Sequence, residues 1–213
     1  MDNILLVEGS DDKYAIASLL DKYKLTNSLN KATGKYAPVD IKDCGGFPGI
    51  YEVLKGSIKN PVTIGVIVDA DNEFAKRWTE LRNLSIKEFP DIVDEFPKDG
   101  LIVGNKYGGR FGIWIMPNNA LEGNLETFAK TMIPEGNKNW LLLHAKNSTK
   151  AAREEGAGYK DKDIEKAEIC TWLAWQEEPA QSIGTAIIKS FLKPENSPYA
   201  DNFVKWFKDL FKI

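Results

Sequence analysis

Residues 64–71 read IGVIVDAD, and residues 4–12 read ILLVEGSDD. In each stretch a short apolar run, partly β-branched, stops abruptly at an acid. Runs of this kind are typical of strands that are buried on both faces, as in a parallel sheet. Because parallel strands end at the same edge of their sheet, we expect Glu8, Asp69 and Asp71 to meet in space.

Strands and helices alternate along the first half of the chain. The apolar pattern predicts strands at 3–8, 39–43 and 62–68, with helices at 11–24, 48–57 and 74–89 between and after them. Two further strands are expected at 101–103 and 111–116, and helices at 124–133, 139–154, 161–176, 181–192 and 199–212. The pattern predicts an α/β domain at 1–120 with a mainly parallel sheet flanked by helices. A helical C-terminal layer at 121–213 should pack on it as part of one structural unit.

Composition limits the class of protein. The chain has 213 residues, of which 43% are hydrophobic and 28% charged, and a net charge of −3. That charge gives no overall attraction to nucleic acid or to a membrane surface. No apolar run approaches the roughly 20 residues that cross a bilayer, and the N-terminus does not resemble a secretory signal. Cys44 and Cys170 have no metal-binding spacing, and His144 is the only histidine, so we expect a cytoplasmic protein without a histidine-rich metal site.

The three acids favour a divalent cation. Carboxylates that are forced together repel each other unless a positive charge lies between them. Hard oxygen ligands prefer Mg²⁺ or Mn²⁺. Because residues i and i+2 of a strand face the same way, Asp69 and Asp71 should aim at one point, and Glu8 could hold the metal or transfer protons. Each motif also fits a purely structural role, since acids after strands begin turns and cap helices.

Two other motifs could bind phosphate. Gly45 and Gly46 follow the second predicted strand, and their N–H groups could form an anion-binding nest, although a tight turn explains them equally. Lys106 and Arg110 flank a flexible YGG segment in GNKYGGRFG, residues 104–112. Arg110 could clamp a phosphate, although a solvated hairpin turn is the alternative. The sequence contains neither GxxxxGK[ST] nor a GxGxxG after a strand, which argues against a P-loop or a dinucleotide site.

The order VEGSDD, a Gly-Gly turn and VDAD resembles the Toprim domain of topoisomerases, primases and overcoming-lysogenization-defect (OLD) nucleases. The resemblance covers about residues 3–90 and implies a small parallel α/β sheet. It also implies that Asp69 and Asp71 bind magnesium and that Glu8 acts in acid/base chemistry on phosphodiesters. A third acid often found soon after the Asp-x-Asp motif has only Glu73 as a counterpart.

The second half of the chain is similar to an uncharacterised Toprim-like family of bacterial and archaeal proteins. The matching segments are GIWIMPNNALEGNLETF at 112–128 and KAEICTWLAWQEEP at 166–179. NALEGNLE is similar to a further acidic motif of OLD-type nucleases, which implies that Glu126, and also Glu122, could be additional metal ligands. The strand-passage domain of topoisomerases and the zinc finger of primases have no counterpart in these residues, which leaves nuclease activity, related phosphotransfer, or a metal-binding module without catalysis.

The sequence therefore predicts Mg²⁺- or Mn²⁺-dependent cleavage or transfer of phosphodiesters on nucleic acid. The alternative is a non-catalytic Toprim-like module that binds metal, nucleic acid or protein, and a third hypothesis is hydrolysis of small nucleotides. A protein partner or a homo-oligomer is compatible with either, and no membrane association is expected. The residues expected to form the site are Glu8, Asp69 and Asp71 for catalysis and metal binding, Glu126 for metal, and Gly45, Gly46 and Arg110 for phosphate.

Overall fold

The computed structural model describes residues 3–25, 39–57, 62–104 and 108–213, with the backbone alone at 137–139. Five strands of these ranges form one sheet: β1 (Asn3–Val7), β2 (Asp40–Asp43), β3 (Thr63–Asp69), β4 (Leu101–Gly104) and β5 (Arg110–Met116). Their order across the sheet is β2-β1-β3-β5-β4. Residues 26–38, a polar stretch of the sequence that predicts a loop, and Lys106 lie outside the described residues.

Helices surround this sheet. Those of the described ranges are α1 (Ser10–Lys22), α2 (Phe47–Ser57), α3 (Phe74–Ser85), α4 (Leu125–Lys130), α5 (Asn137–Glu154), α6 (Ile164–Ala174), α7 (Ile183–Ile188) and α8 (Pro198–Phe211). Short 3₁₀ turns at Asp161–Asp163 and Pro194–Asn196 precede α6 and α8. No helix in the described part of the chain combines the length and the apolar character that a bilayer crossing demands.

Strand direction places the carboxyl ends of four strands at one edge. β2, β1, β3 and β5 are mutually parallel, and β4 runs antiparallel to β5 at the end of the sheet. In the register, Val7 pairs with Asp43 and Asp69 pairs with Met116. The predicted α/β class, with a mainly parallel sheet and a helical C-terminal region, is confirmed, and the arrangement is consistent with a Toprim-like fold.

Both faces of the sheet are covered, which explains the continuous apolar runs of its strands. Alternate side chains of a strand point to opposite faces. Leu5 and Ile67 belong to a core shared with α1, α4, α6 and α8, whereas Leu6 and Val66 belong to a second core with α2 and α3. Strands buried on two faces carry apolar residues at every position rather than at alternate ones.

Two glycines let the C-terminal helix approach the sheet closely. Gly65 and Gly112 are register partners on β3 and β5. A Cβ on Gly112 would lie 2.6 Å from Cδ2 of Leu210 in α8, and one on Gly65 would lie 3.0 Å from the same atom. The paired glycines therefore form a hollow for Leu210. The division of the chain into domains at residue 120 stays a prediction.

The helix predicted at 181–192 is shorter than expected. It begins after Ser182, whose hydroxyl accepts the Thr185 N–H at 3.2 Å, and ends at Ile188. Ser190 adopts a left-handed φ of 61°. The apolar residues that follow therefore belong to an irregular segment, although they pack in the same core.

Candidate functional site

Glu8 and Asp69 lie in direct contact at the carboxyl edge of the sheet. Glu8 is the residue after β1, and Asp69 is the last residue of β3. The Asp69 N–H donates a hydrogen bond to Oε1 of Glu8 at 3.0 Å. The structure therefore brings together two acids that are 61 positions apart, for the reason the sequence suggests: neighbouring parallel strands end at one edge.

Asp71 joins this region by a different route from the one expected. β3 ends at Asp69, so the alternation of a strand does not extend to Asp71. Asp71 has a left-handed φ of 50° and forms a two-residue bridge with Gly123, with N···O distances of 2.8 and 2.7 Å. Aspartate is among the few residues that adopt this conformation readily. Its carboxylate is exposed and lies at the rim of the site.

The Asp71–Gly123 bridge holds the loop that leads into α4. Asn124 caps that helix by accepting the Thr127 N–H at 3.0 Å. The N–H of Leu125, the residue after Asn124, donates a hydrogen bond to Oδ1 of Asp69 at 3.1 Å. Glu126 follows in the first turn and is only 8% exposed. The structure thus places Glu126 beside Asp69, whereas Glu122 is exposed.

Asp12 is a further member of the cluster that the sequence did not single out as a site residue. Its Oδ2 accepts the Gly9 N–H at 2.9 Å at the start of α1, which agrees with the helix-capping role expected for such an acid. Burial raises its pKa to about 6, and the carboxylates of Glu8 and Glu126 add to the increase. The second aspartate of the VEGSDD motif is the signal that could have identified it.

The same forces act on Asp69 and Glu8. Burial raises the pKa of Asp69 well above its ordinary value, and the neighbouring acids Asp12 and Glu8 raise it further. Burial also raises the pKa of Glu8, although the Asp69 N–H and Arg77 oppose that change. Several carboxylates therefore share a volume with too little positive charge to keep them all ionised.

Two cations lie at the margins of this cluster, and sequence reasoning found neither. Arg77 of α3 donates from Nε to the Asp69 carbonyl at 3.0 Å and stacks its guanidinium over the Phe47 ring, 4.2 Å from the centroid. Its Nη2 lies 3.5 Å from Oδ2 of Asp71. On the opposite side, Lys166 of α6 pairs with Asp11 at 3.1 Å and with Glu126 at 3.7 Å.

The clustered acids surround a cleft of about 440 Å³, which we call the acidic cleft and which is lined by Glu8, Asp12, Asp69, Glu126 and Lys166 among others. Lys166 is the one cation among its lining residues, whereas the carboxylates of the lining are Glu8, Asp11, Asp12, Asp43, Asp69 and Glu126. A second hollow of about 450 Å³ lies on the other side of Asp69 and Glu126 and contains Asp71 and Glu73. Asp69, Glu126 and Lys166 line both spaces, so they lie at the boundary between them.

The carboxylate oxygens of the cluster are of the type that a hard divalent cation prefers, although they do not form a complete coordination shell. Within the described ranges, no three acidic, histidine or cysteine side chains are arranged to hold an ion as they stand. Mg²⁺ usually keeps several waters and takes only one or two protein carboxylates. The Leu125 N–H anchors Asp69 through Oδ1, which leaves Oδ2 to face the cleft, whereas Glu8 accepts from the Asp69 N–H and also from the Phe47 N–H. The all-oxygen donors and the raised pKa values suit such an ion.

Gly45 and Gly46 lie in the wall of the acidic cleft, but their N–H groups are already engaged. Both have positive φ values, 69° and 105°. The Gly45 N–H donates to Oδ1 of Asp43 at 2.9 Å, and the Gly46 N–H donates to the Glu8 carbonyl at 2.7 Å. The pair therefore shapes the turn between β2 and α2, and an anion nest made from these two N–H groups finds no support.

Arg110 is not brought to the acids. It is the first residue of β5 and pairs with Thr63 at the start of β3, whereas Asp69 is at the end of β3. Six residues of strand span about 20 Å. The Arg110 Nη1 donates to the Asp209 carbonyl at 2.6 Å. The predicted contact of Arg110 with a phosphate held by the acids is therefore unsupported by its position.

Comparison with known proteins adds a family and distant structural similarities. The C-terminal region of the Burkholderia pseudomallei OLD protein aligns over 98% of both chains, with a TM-score of 0.43 and 13% identity. The C-terminal region of the Xanthomonas campestris pv. campestris OLD protein aligns over 99% of this chain and 96% of that one, with a TM-score of 0.39 and 13% identity. No curated protein matches the chain. A family model described as "Protein of unknown function (DUF3226)" matches residues 2–212, so the chain belongs to that family.

Proposed function

We propose that this chain is a divalent-cation-dependent enzyme that cleaves or transfers phosphodiesters of nucleic acid, with Mg²⁺ or Mn²⁺ as the cation. One observation carries the proposal. The Asp69 N–H binds the Glu8 carboxylate at 3.0 Å, so the acids that follow β1 and β3 enter one cleft. Glu126 and Asp12 join them there and raise the pKa of Asp69. The acidic signature that resembles Toprim domains involves two of these same residues.

The residues divide into ligands and a proton carrier. Asp69 and Glu126, which line both hollows, would hold the cation, and Asp71 would contact it or its waters from the rim. When bound, a divalent cation polarises a phosphoryl oxygen and offsets the charge that develops there. Glu8 has a raised pKa, which brings the carboxyl closer to the range in which it can accept a proton from an attacking water or donate one to the leaving oxygen.

Lys166 supplies positive charge at the mouth of the acidic cleft. Its side chain is half exposed, and its ammonium lies between Asp11 and Glu126. A phosphate that approaches the acids would meet this cation first. Gly45 and Gly46 leave the opposite wall without side chains, which gives a bulky phosphodiester room to enter.

Cleavage assays with a matched pair of variants test the proposal. Single-stranded, double-stranded and nicked substrates would be incubated with Mg²⁺, Mn²⁺ or EDTA. Asp69→Asn should lower metal-dependent cleavage by roughly 100-fold or more, because asparagine keeps the shape of the side chain but removes the charge of a metal ligand. Asp91→Asn changes an exposed acid outside the cleft and should leave the rate unchanged. Cleavage by Asp69→Asn at the wild-type rate would exclude the proposed role of the acids.

A second candidate, a binding module without catalysis, is favoured by Lys166. Its ion pairs with Asp11 and Glu126 already neutralise part of the acidic cleft. If no substrate is cleaved while Mn²⁺ binds with submillimolar affinity, the module is the better description. A panel of nucleoside phosphates distinguishes both candidates from a small-nucleotide phosphohydrolase.

A further inference from the structure

A further pocket, distinct from the hollow at Asp71 and Glu73, adjoins the acidic cleft. We call it the apolar pocket. It lies between α1, α6 and α7 and has a volume of about 230 Å³. Most of its exposed lining surface is apolar and includes Ile169 and Leu173 of α6 and Ile183 of α7, whereas polar and charged side chains form the rest. α7 is fixed tightly against α1, since a Cβ on Gly184 would lie 2.9 Å from the Tyr14 carbonyl oxygen. The pocket is therefore a feature of helix packing rather than of a loop.

The apolar pocket and the acidic cleft share a rim. Asp11, Glu126 and Lys166 line both spaces. The Lys166 ammonium bridges the two acids at 3.1 and 3.7 Å, so these three charged side chains separate the acidic cleft from the apolar pocket. A ligand with an anionic part in the acidic cleft would place its neighbouring group at the mouth of the apolar pocket.

The size and lining of the pocket suit a flat heterocycle. An apolar cavity of about 150 Å³ accommodates a benzene molecule, and this pocket is about half as large again. The Tyr14 side chain, 58% exposed at the entrance, offers a ring for stacking. Gln181 and Ser182 place an amide and a hydroxyl among the lining residues, where the polar edge of a base could bond. A pocket of this size is too short for a helix or an extended peptide.

We propose that the apolar pocket holds one unstacked nucleobase of the strand whose phosphate lies in the acidic cleft. The inference rests on the proposed function, because it takes the phosphodiester from there. It specifies the substrate as a single strand, a strand end or a duplex from which one base is turned out. A base inside a duplex cannot enter without leaving its stack. Apolar and aromatic walls hold unstacked bases with little sequence preference.

Protection of Cys170 from alkylation tests the proposal without requiring activity. Cys170 is exposed, lines the apolar pocket and carries a free thiol. The full-length Glu8→Gln variant with Mg²⁺, which should bind the strand without cleaving it, would be treated with N-ethylmaleimide, and peptide mass spectrometry would follow Cys170 separately from Cys44. A short oligodeoxyadenylate at about ten times its dissociation constant should slow the reaction of Cys170 about tenfold. The abasic analogue, at the same multiple of its own constant, should not.

Each result has a definite meaning. Equal protection by both strands would show that the sugar–phosphate chain covers the pocket, and protection by neither, while anisotropy shows both strands bound, would show that the base lies elsewhere. Either result overturns the inference and leaves the proposed function intact. If anisotropy detects binding of neither strand, the inference fails, and the cleavage assay on single-stranded, double-stranded and nicked substrates decides the proposed function separately.

A filling substitution gives an independent test. Cys170→Phe should weaken binding of the oligodeoxyadenylate by roughly tenfold, within the range expected for one stacked base. It should leave binding of the abasic strand unchanged. Leu143→Phe adds bulk at another exposed helical position and serves as the control. Equal affinities of Cys170→Phe and wild type for the base-containing strand would contradict the inference.

Discussion

Asp12→Asn should remove much of the pH dependence of stability in the metal-free protein. The folded-state pKa of Asp12 is about 6, against an ordinary value of 3.8. The difference of about two units corresponds to about 3 kcal/mol, at about 1.4 kcal/mol per unit. Because the folded state holds this proton more tightly than the unfolded state, its stabilising effect is complete below the unfolded pKa. The effect is lost as pH rises through the folded pKa.

Because Asp12 loses its proton in the folded wild type over this range, the free energy of unfolding should fall by about 3 kcal/mol between about pH 4 and pH 7. Glu8, Glu126 and Asp69 are the carboxylates that face Asp12, and the raised pKa values of Glu8 and Asp69 act in the same direction. Asparagine keeps an oxygen that can accept the Gly9 N–H and removes only the charge. The variant should be the more stable protein at pH 8 in EDTA.

Urea unfolding at a series of pH values, in EDTA, measures this difference. Asp91→Asn, an exposed acid outside the cleft, is the control and should follow the wild type. Mg²⁺ at about 100 times its dissociation constant should restore about 2.7 kcal/mol to the wild type at pH 8. A variant whose stability falls with pH as steeply as the wild type would refute the reasoning, as would a wild type that becomes more stable as pH rises through this window.

Three further substitutions test separate contacts of the fold and the site. Gly112→Ala forces a Cβ to 2.6 Å from Leu210 and should cost about 1–3 kcal/mol of unfolding free energy in urea; unchanged stability would contradict the tight packing of α8. Arg77→Met removes the hydrogen bond to the Asp69 carbonyl and should lower the free energy of unfolding by about 1–3 kcal/mol in the same urea assay. An unchanged free energy of unfolding would show that this hydrogen bond does not stabilise the fold. Glu8→Gln keeps an acceptor for the Asp69 N–H but cannot ionise, so it should fold normally by circular dichroism while metal-dependent cleavage falls roughly 100-fold or more; a wild-type rate would remove Glu8 from the chemistry.

The part of the site that follows from strand ends was predictable. Apolar runs that stop at an acid identify β1 and β3, and parallel neighbours end at the same edge, so Glu8 and Asp69 meet. The same rule, applied to β5, would have placed Arg110 at the opposite edge, because a residue before a parallel strand lies at its amino end.

The remaining members depend on contacts that no local pattern encodes. Lys166 reaches the cleft because α6 packs beside α4, and the spacing of residues in α6 does not reveal that neighbour. Arg77 is bound to a backbone carbonyl, which any strand residue could offer. Asp71 leaves the strand with a left-handed φ, so an argument from alternating side chains does not apply to it. Gly45 and Gly46 indicate a turn, and the structure contains one. The acceptors of their N–H groups are known only from the three-dimensional structure.

Anomalous diffraction from crystals soaked in Mn²⁺ tests most directly whether these acids share a cation. We expect a manganese peak within about 2.2 Å of a carboxylate oxygen of Asp69, with Glu126 or Glu8 beside it and the Lys166 ammonium displaced from Glu126. A fully soaked crystal with no peak at Asp69, and with Lys166 still paired to Glu126, would contradict the account.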